Sequence, residues 1–343
     1  MTTRILLFTQ SRDDHNLPEW LIYHLLIGFD QIMIFDQSHH IQVNSYLENK
    51  LDNKLLVIRD DESEMTRSKK AFQHAQQNHF THLLYLNTDE YIVLRKYRHI
   101  HQLVHEFASV SGISLNQVLY GNNYQIFRSS NLLIEDMTYR ATDTELQPNN
   151  IKTIQKVSDL VGTLTDIHHF NYRHKNYYSV NVLGHKLSQM TVSPFEKGIM
   201  SVGYIAKFLV QSLEDYQMRH ILIKADHRHQ FRQDSFTIPR IKFLWHDDFL
   251  KNQYADRLHH LLRLHNLDKV QRELKEISVP RLVTHEEAET FSSQPVYQQM
   301  NQLRASMLNN PRLLDINKSH DFSKPKSQGL QPPGHGLKPP GWP

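Results

Sequence analysis

The chain has 343 residues, 39% of them hydrophobic and 22% charged, a balance that lets one large α/β domain with additions, or two small domains, bury a core. Its 39 Lys and Arg stand against 36 Asp and Glu, and a formal charge of +3 gives nucleic-acid binding no support. There is no cysteine, which excludes disulfides and thiolate metal sites and fits a reducing compartment.

The apolar run Ile5–Phe8 is too short for a signal segment or a membrane span, and no later stretch is longer, so a cytoplasmic protein is expected. Similar short runs follow at Ile32–Phe35, Leu55–Ile58 and Leu83–Leu86. Such runs suit strands buried on both faces, as in a parallel sheet. Between them, Leu17–Ile27 reads as a helix, with Pro18 in its first turn and Gly28 just past its end. Val43–Lys50 reads as a short helix. Glu64–Gln77 reads as a mainly polar one, with Met65, Ala71, Phe72 and Ala75 on one side. The alternation predicts an open Rossmann-like sheet with right-handed crossovers.

From Ser111 the texture changes to strand-like pieces at Ile113–Tyr120, Leu132–Ala141, Ile151–Val157, Leu164–Asn171 and Ser179–Val192, which predict mixed or antiparallel pairing. A helix is expected over Leu213–Ile223, and residues 247–308 read as helical. There Thr284 and Glu287 form a capping-box start. From His320 the chain is rich in Pro and Gly and is expected to be disordered.

Ligands of open α/β sheets bind beyond the carboxyl ends of the strands. The first strand is followed by Arg12, Asp13 and Asp14, and the second by Asp36. The third is followed by Arg59, Asp60 and Asp61, and the fourth by Asn87, Asp89 and Glu90. No GxGxxG or Walker sequence is present to cradle phosphate. A carboxylate-lined edge repels a diphosphate unless a hard cation, Mn²⁺ or Mg²⁺, lies between them. The competing reading is that such residues end strands as turn formers.

Two segments resemble family-2-like and family-92-type glycosyltransferases. In SRDDHNLPEWLIYHLLIGFDQIMIFDQS the matching residues are Arg12, Asp13, Asp14, Glu19, Trp20, Tyr23, His24, Gly28, Asp36 and Ser38. HLLYLNTDEYIVL resembles the family's Asp-x-Asp-Glu-Phe segment. Weaker similarity extends the match to roughly residues 4–230, with Lys152 and His168 where the family has Lys and His, and SLEDYQMRH resembling a Ser-x-Glu-x-Phe helix.

The resemblance implies a GT-A fold: a mixed sheet flanked by helices over residues 1–230, followed here by a helical extension over 231–319 and a tail over 320–343. It implies a nucleotide-sugar donor, inversion at the anomeric carbon and a divalent metal. On it, Arg12, Asp14, Asp36, Lys152 and Lys207 are expected at the donor, and Asn87, Asp89 and Glu90 at the metal, Asp89 being the firmest ligand. The sequence departs from the pattern where Asn87 replaces an acid, Lys207 a His and Gln117 a Trp.

Inverting transfer needs a base near the acceptor hydroxyl, and Glu135, Asp136 and His168 are the candidates. The expected acceptor is a glycan or a lipid-linked sugar in surface polysaccharide assembly. The basic residues Arg257, Arg263, Lys269, Arg272 and Lys275 raise contact with the inner face of a membrane, against the alternative of an ordinary solvated helix face. The competing class is a non-catalytic relative that keeps the fold as a nucleotide- or glycan-binding scaffold. A nucleotidyltransferase ranks lower, because TQSRDDHN lacks the glycine-rich segment such enzymes carry after the first strand.

Overall fold

The computed structural model describes residues 2–38, 42–47, 50–121, 129–141, 149–166, 169–187, 192–196, 198–208, 211–212, 215 and 243–276. By its contacts the chain divides into two units, Met1–Ala288 and Glu289–Pro343, and every described residue lies in the first. Most of the expected helix at Leu213–Ile223, the capping box at Thr284, the tail and the candidate base His168 lie outside the described residues.

In chain order the strands are β1 (Ile5–Ser11), β2 (Gln31–Asp36), β3 (Leu55–Arg59), β4 (His82–Tyr85), β5 (Glu90–Leu94), β6 (Gly112–Leu119), β7 (Tyr139–Ala141), β8 (Asn149–Lys156), β9 (Leu160–Asp166), β10 (His169–Tyr172), β11 (Ser179–Asn181), β12 (Val192–Ser193), β13 (Gly203–Lys207) and β14 (Phe243–His246), with the short helix α6 (Ile199–Val202) before β13. The frame is a ten-stranded mixed sheet whose main path runs β3-β2-β1-β4-β8-β6-β13-β5. Its first four strands, β1 (Ile5–Ser11), β2 (Gln31–Asp36), β3 (Leu55–Arg59) and β4 (His82–Tyr85), are parallel, as expected. β8 (Asn149–Lys156) runs antiparallel to both β4 and β6 (Gly112–Leu119). β13 (Gly203–Lys207) is parallel to β6 and antiparallel to the edge strand β5 (Glu90–Leu94). The architecture is Rossmann-like and GT-A-like, flanked by helices, with C-terminal helices packed on it.

Side chains alternate across a strand, so the continuous run of β1 feeds both faces. Ile5 and Leu7 join a core with α1 (Leu17–Leu26), α4 (Ile100–Glu106) and the helix α7 (Phe249–Leu264). Leu6 and Phe8 join a second core under α3 (Glu64–Gln77). Burial on both sides is what made the runs legible as strands.

The segment Leu132–Ala141, expected as one strand, is instead the short helix α5 (Leu133–Asp136) followed by β7 (Tyr139–Ala141). Glu135 caps the Leu132 N–H at 2.9 Å and Glu19 accepts from the N–H groups of Leu133 and Ile134, so capping from outside the segment selects the helical turn. The expected helix Val43–Lys50 is shorter, α2 spanning Asn44–Leu47. The strands β5 and β13 and the helix α4 had no sequence-level expectation; β5 lies within the segment read for its acids alone.

Candidate functional site

The strand order reverses direction at β1, which has β2 on one side and β4 on the other. Such a switch point opens a crevice at the carboxyl ends of the strands. The segments leaving β1 and β4 there carry Arg12–Asp14 and Asn87–Asp89.

On the β1–β2 side, register places Ser11 beside Asp36 and Asp36 beside Arg59. Asp13 adopts a left-handed φ of 53° and its N–H donates to Ser38 Oγ at 3.1 Å. Asp14 accepts from the Arg12 N–H at 3.0 Å, folding the β1–α1 turn. Asp36 is buried and accepts from the N–H groups of Ser38 and Val43, both at 2.9 Å, so it also organises its own loop. Arg59 is 3.7 Å from Asp36 and donates to the Ser38 carbonyl at 2.6 Å. The Tyr46 hydroxyl has its pKa driven up by burial first and then by the charges of Asp14, Asp36 and Asp13. The acids after β3 take no part: Asp60 accepts from the Glu62 N–H and from Lys70 at 3.0 Å, capping the approach to α3.

On the β4 side, the side chains of Asn87 and Glu90 bond to each other at 3.3 Å. Asn87 Oδ1 accepts from the Tyr85 hydroxyl at 2.8 Å. Glu90 is fully buried; its carboxylate accepts from the Asn87 N–H at 2.9 Å, Gln117 Nε2 at 2.7 Å and Lys207 Nζ at 3.0 Å, with Lys152 Nζ at 3.7 Å. Burial alone would raise the Glu90 pKa, but Lys152 and Lys207 outweigh it and lower the pKa below the ordinary carboxylate value. Lys152 also lies 4.6 Å from the centre of the Tyr85 ring. Asp89 is buried in the turn between β4 and β5, and its carbonyl accepts from the Phe208 N–H at 2.8 Å. Among the described residues no group of three His, Cys, Asp or Glu side chains is placed to hold an ion. Among the described residues, Asn87 Oδ1 and the Glu90 carboxylate are engaged inward, and an ion approaching Glu90 meets two ammonium groups.

The candidate bases Glu135 and Asp136 lie on α5, whose first N–H groups are bonded to Glu19 of α1. Glu135 accepts from His259 Nε2 at 3.1 Å as well as capping its own helix, and Asp136 accepts from Asn131 at 3.1 Å. Near the same turn, Asn16 donates to Gln211 at 2.9 Å, and Asp215, bonded to Ser212 at 2.7 Å, lies 3.5 Å from His15. Sequence reading missed Tyr46, Tyr85 and His15 as members of this edge; they sit in apolar or polar runs with nothing to mark them.

Trp20, Tyr23 and His24 of the resembling segment are all buried and serve packing. The basic helical residues are partly offset on their own helix α8 (Asp268–Glu276), where Arg272 pairs with Asp268 and Lys269 with Glu273, while Lys275 donates to the Asn131 carbonyl. Among the described residues no helix is long and apolar enough to cross a membrane.

No protein-family model matches the chain, and no curated protein matches it. Among solved structures it is similar to a cytidylyltransferase from Leptospira borgpetersenii, with 11% identity and a TM-score of 0.25 over 46% of this chain and 62% of that one. It is similar to 4-diphosphocytidyl-2C-methyl-D-erythritol synthase from Anaerococcus prevotii, with 10% identity and a TM-score of 0.31 over 58% and 93%. A third likeness is to residues 1–349 of S. aureus TarS, with 12% identity and a TM-score of 0.31 over 92% of both chains. The chain spans less than two thirds of the length of the cytidylyltransferase. The similarity is remote, and it carries no residue role from those proteins to this one.

Proposed function

We propose that this protein is a glycosyltransferase that moves a sugar from a nucleotide donor to a glycan or lipid-linked acceptor. The observation that carries the reading is the switch-point edge. There Asp13 and Asp14 lie in the turn that leaves β1, Asp36 ends the neighbouring strand β2, and Asp89 lies in the turn that follows β4.

In this reading the acceptor oxygen attacks the anomeric carbon. The bond from that carbon to the β-phosphate oxygen breaks, and the nucleoside diphosphate leaves with the electron pair. The acceptor proton passes to a carboxylate, Glu135 or Asp136, or to His168. Asp14 and Asp36 hold the nucleoside end by shaping the loops after β1 and β2. No step is routed through a metal.

A panel of nucleotide sugars, followed by donor hydrolysis and transfer assays, tests the reading. Binding and turnover of one donor are expected, with Asp89→Ala lowering kcat/KM by about a hundredfold or more. Replacing Glu135 by Gln and Asp136 by Asn separates the bases, since loss of one lowers kcat by about 10²–10⁴ while the other leaves it near the parent. A folded protein that binds no donor sinks the proposal.

A second reading, a scaffold that binds donor without transfer, is favoured by the inward turn of Asn87. Donor binding with no turnover for any acceptor would select it.

A further inference from the structure

Glu90 is the least accessible acid at the site and the most heavily engaged. Its partners come from separate elements. Asn87 lies just before it, Gln117 is on β6, Lys152 on β8 and Lys207 on β13. Strand register builds this convergence: Lys207 stands opposite Glu90 in the β13–β5 ladder, and Lys152 opposite Leu115 in the β8–β6 ladder. A carboxylate offers about four lone-pair sites. The Asn87 and Gln117 side-chain amides and the Lys207 ammonium converge on Oε1, and the Asn87 N–H reaches Oε2.

What Glu90 does here is hold two ammonium groups in place. A lysine normally loses much rotamer freedom when it grips a ligand, and a lysine already clasped has lost that freedom beforehand. An ammonium is a serviceable point-charge partner for phosphate. The Lys207 side chain is 18% exposed against 5% for Lys152, so Lys207 is the one a ligand can reach and Lys152 backs it. The N–H of the residue after Lys207 donates to the Asp89 carbonyl, which holds the end of β13 beside the turn between β4 and β5.

We propose that the lysine pair clasped by Glu90 supplies the positive charge that a phosphate-bearing ligand needs in this cleft, so that a nucleoside diphosphate binds without a divalent cation. This rests on the donor-binding reading above and goes beyond it, because that reading is indifferent to where the counter-charge comes from. Lys207 makes the phosphate contact, Lys152 supports it, and Glu90 is a positioning residue that acts through both.

The test is calorimetric titration of the folded protein with UDP, GDP, CDP and dTDP, each in EDTA and in Mn²⁺, beside a titration with Mn²⁺ alone. At least one nucleotide is expected to bind in EDTA, with Kd changed less than about threefold by Mn²⁺, and Lys207→Met is expected to weaken it by about tenfold or more. Mn²⁺ alone is expected to show no saturable binding. If Lys207→Met fails to fold, the double variant with Glu90→Gln removes both charges together, and the same weakening is expected of it. Binding that appears only with Mn²⁺, or Lys207 variants that bind as the parent does, overturns the inference and leaves the glycosyltransferase reading standing. A folded protein that binds no nucleoside diphosphate in either condition sinks that reading, and this inference with it.

Discussion

His24 and Glu19 sit five residues apart on α1, both fully buried, and acid acts on them in opposite senses. Burial lowers the His24 pKa to about 3, only partly offset by its Nδ1–H bond to the Trp20 carbonyl and by the charge of Glu90. The folded state therefore holds fewer protons than the unfolded one between about pH 6.5 and 3. The stability this confers is full above pH 6.5 and is lost as the pH falls. Burial raises the Glu19 pKa to about 6, against Lys275 and the N–H groups of Leu133 and Ile134. Here the folded state holds the extra proton, so stability is full below about pH 4.5 and is lost as the pH rises through 6. Between pH 7 and 4.5, His24 costs about 3 kcal/mol and Glu19 returns about 2 kcal/mol. Denaturant titrations at the two pH values should show a small net change in the parent. His24→Phe should gain stability on acidification and Glu19→Gln should lose it; slopes of the same sign in the two variants would refute this account.

At the scale of elements, α1 is fastened to the edge of the sheet. Its Trp20 indole donates to the Glu90 carbonyl at 2.8 Å and its Tyr23 hydroxyl to the Ile92 carbonyl at 2.6 Å. Residues three apart on a helix share a face, and carbonyls two apart on a strand share an edge. The pair therefore covers acceptors that an open edge would expose. Trp20→Phe keeps most of the ring and orphans one buried carbonyl; a loss of about 1–3 kcal/mol in unfolding free energy is expected. The helix stops at Gly28, whose φ is +105° and where an added Cβ would lie 1.9 Å from the His99 ring. Gly28→Ala should lower stability by at least about 1 kcal/mol, measured by chemical denaturation, because both the backbone region and the space are denied to it. The start and stop of α1 were legible because Pro18 and Gly28 act within their own turns. The same locality failed at Leu132–Ala141, where the deciding caps include Glu19, more than a hundred residues away.

Across the whole described fold, one carboxylate joins the C-terminal helices to the sheet. Asp247, just before α7, accepts from Arg95 at 2.6 and 2.7 Å and from the Tyr204 hydroxyl at 3.1 Å, with Arg140 at 3.4 Å. Burial works to raise its pKa, but the two guanidinium groups prevail and lower it. Removing it leaves two cations without their shared partner, so Asp247→Ala should cost about 3–5 kcal/mol in a denaturant titration. A loss below 1 kcal/mol would show that α7 is held by its apolar face alone. The parallel half of the sheet could be read from the chain, because buried strands and the turns that leave them are local patterns. Only the tertiary structure decided what the side chains do. Glu90 met Lys152 and Lys207, and Trp20 and Tyr23 went to packing, because each partner is brought in by strand register or by a helix face from a distant part of the chain.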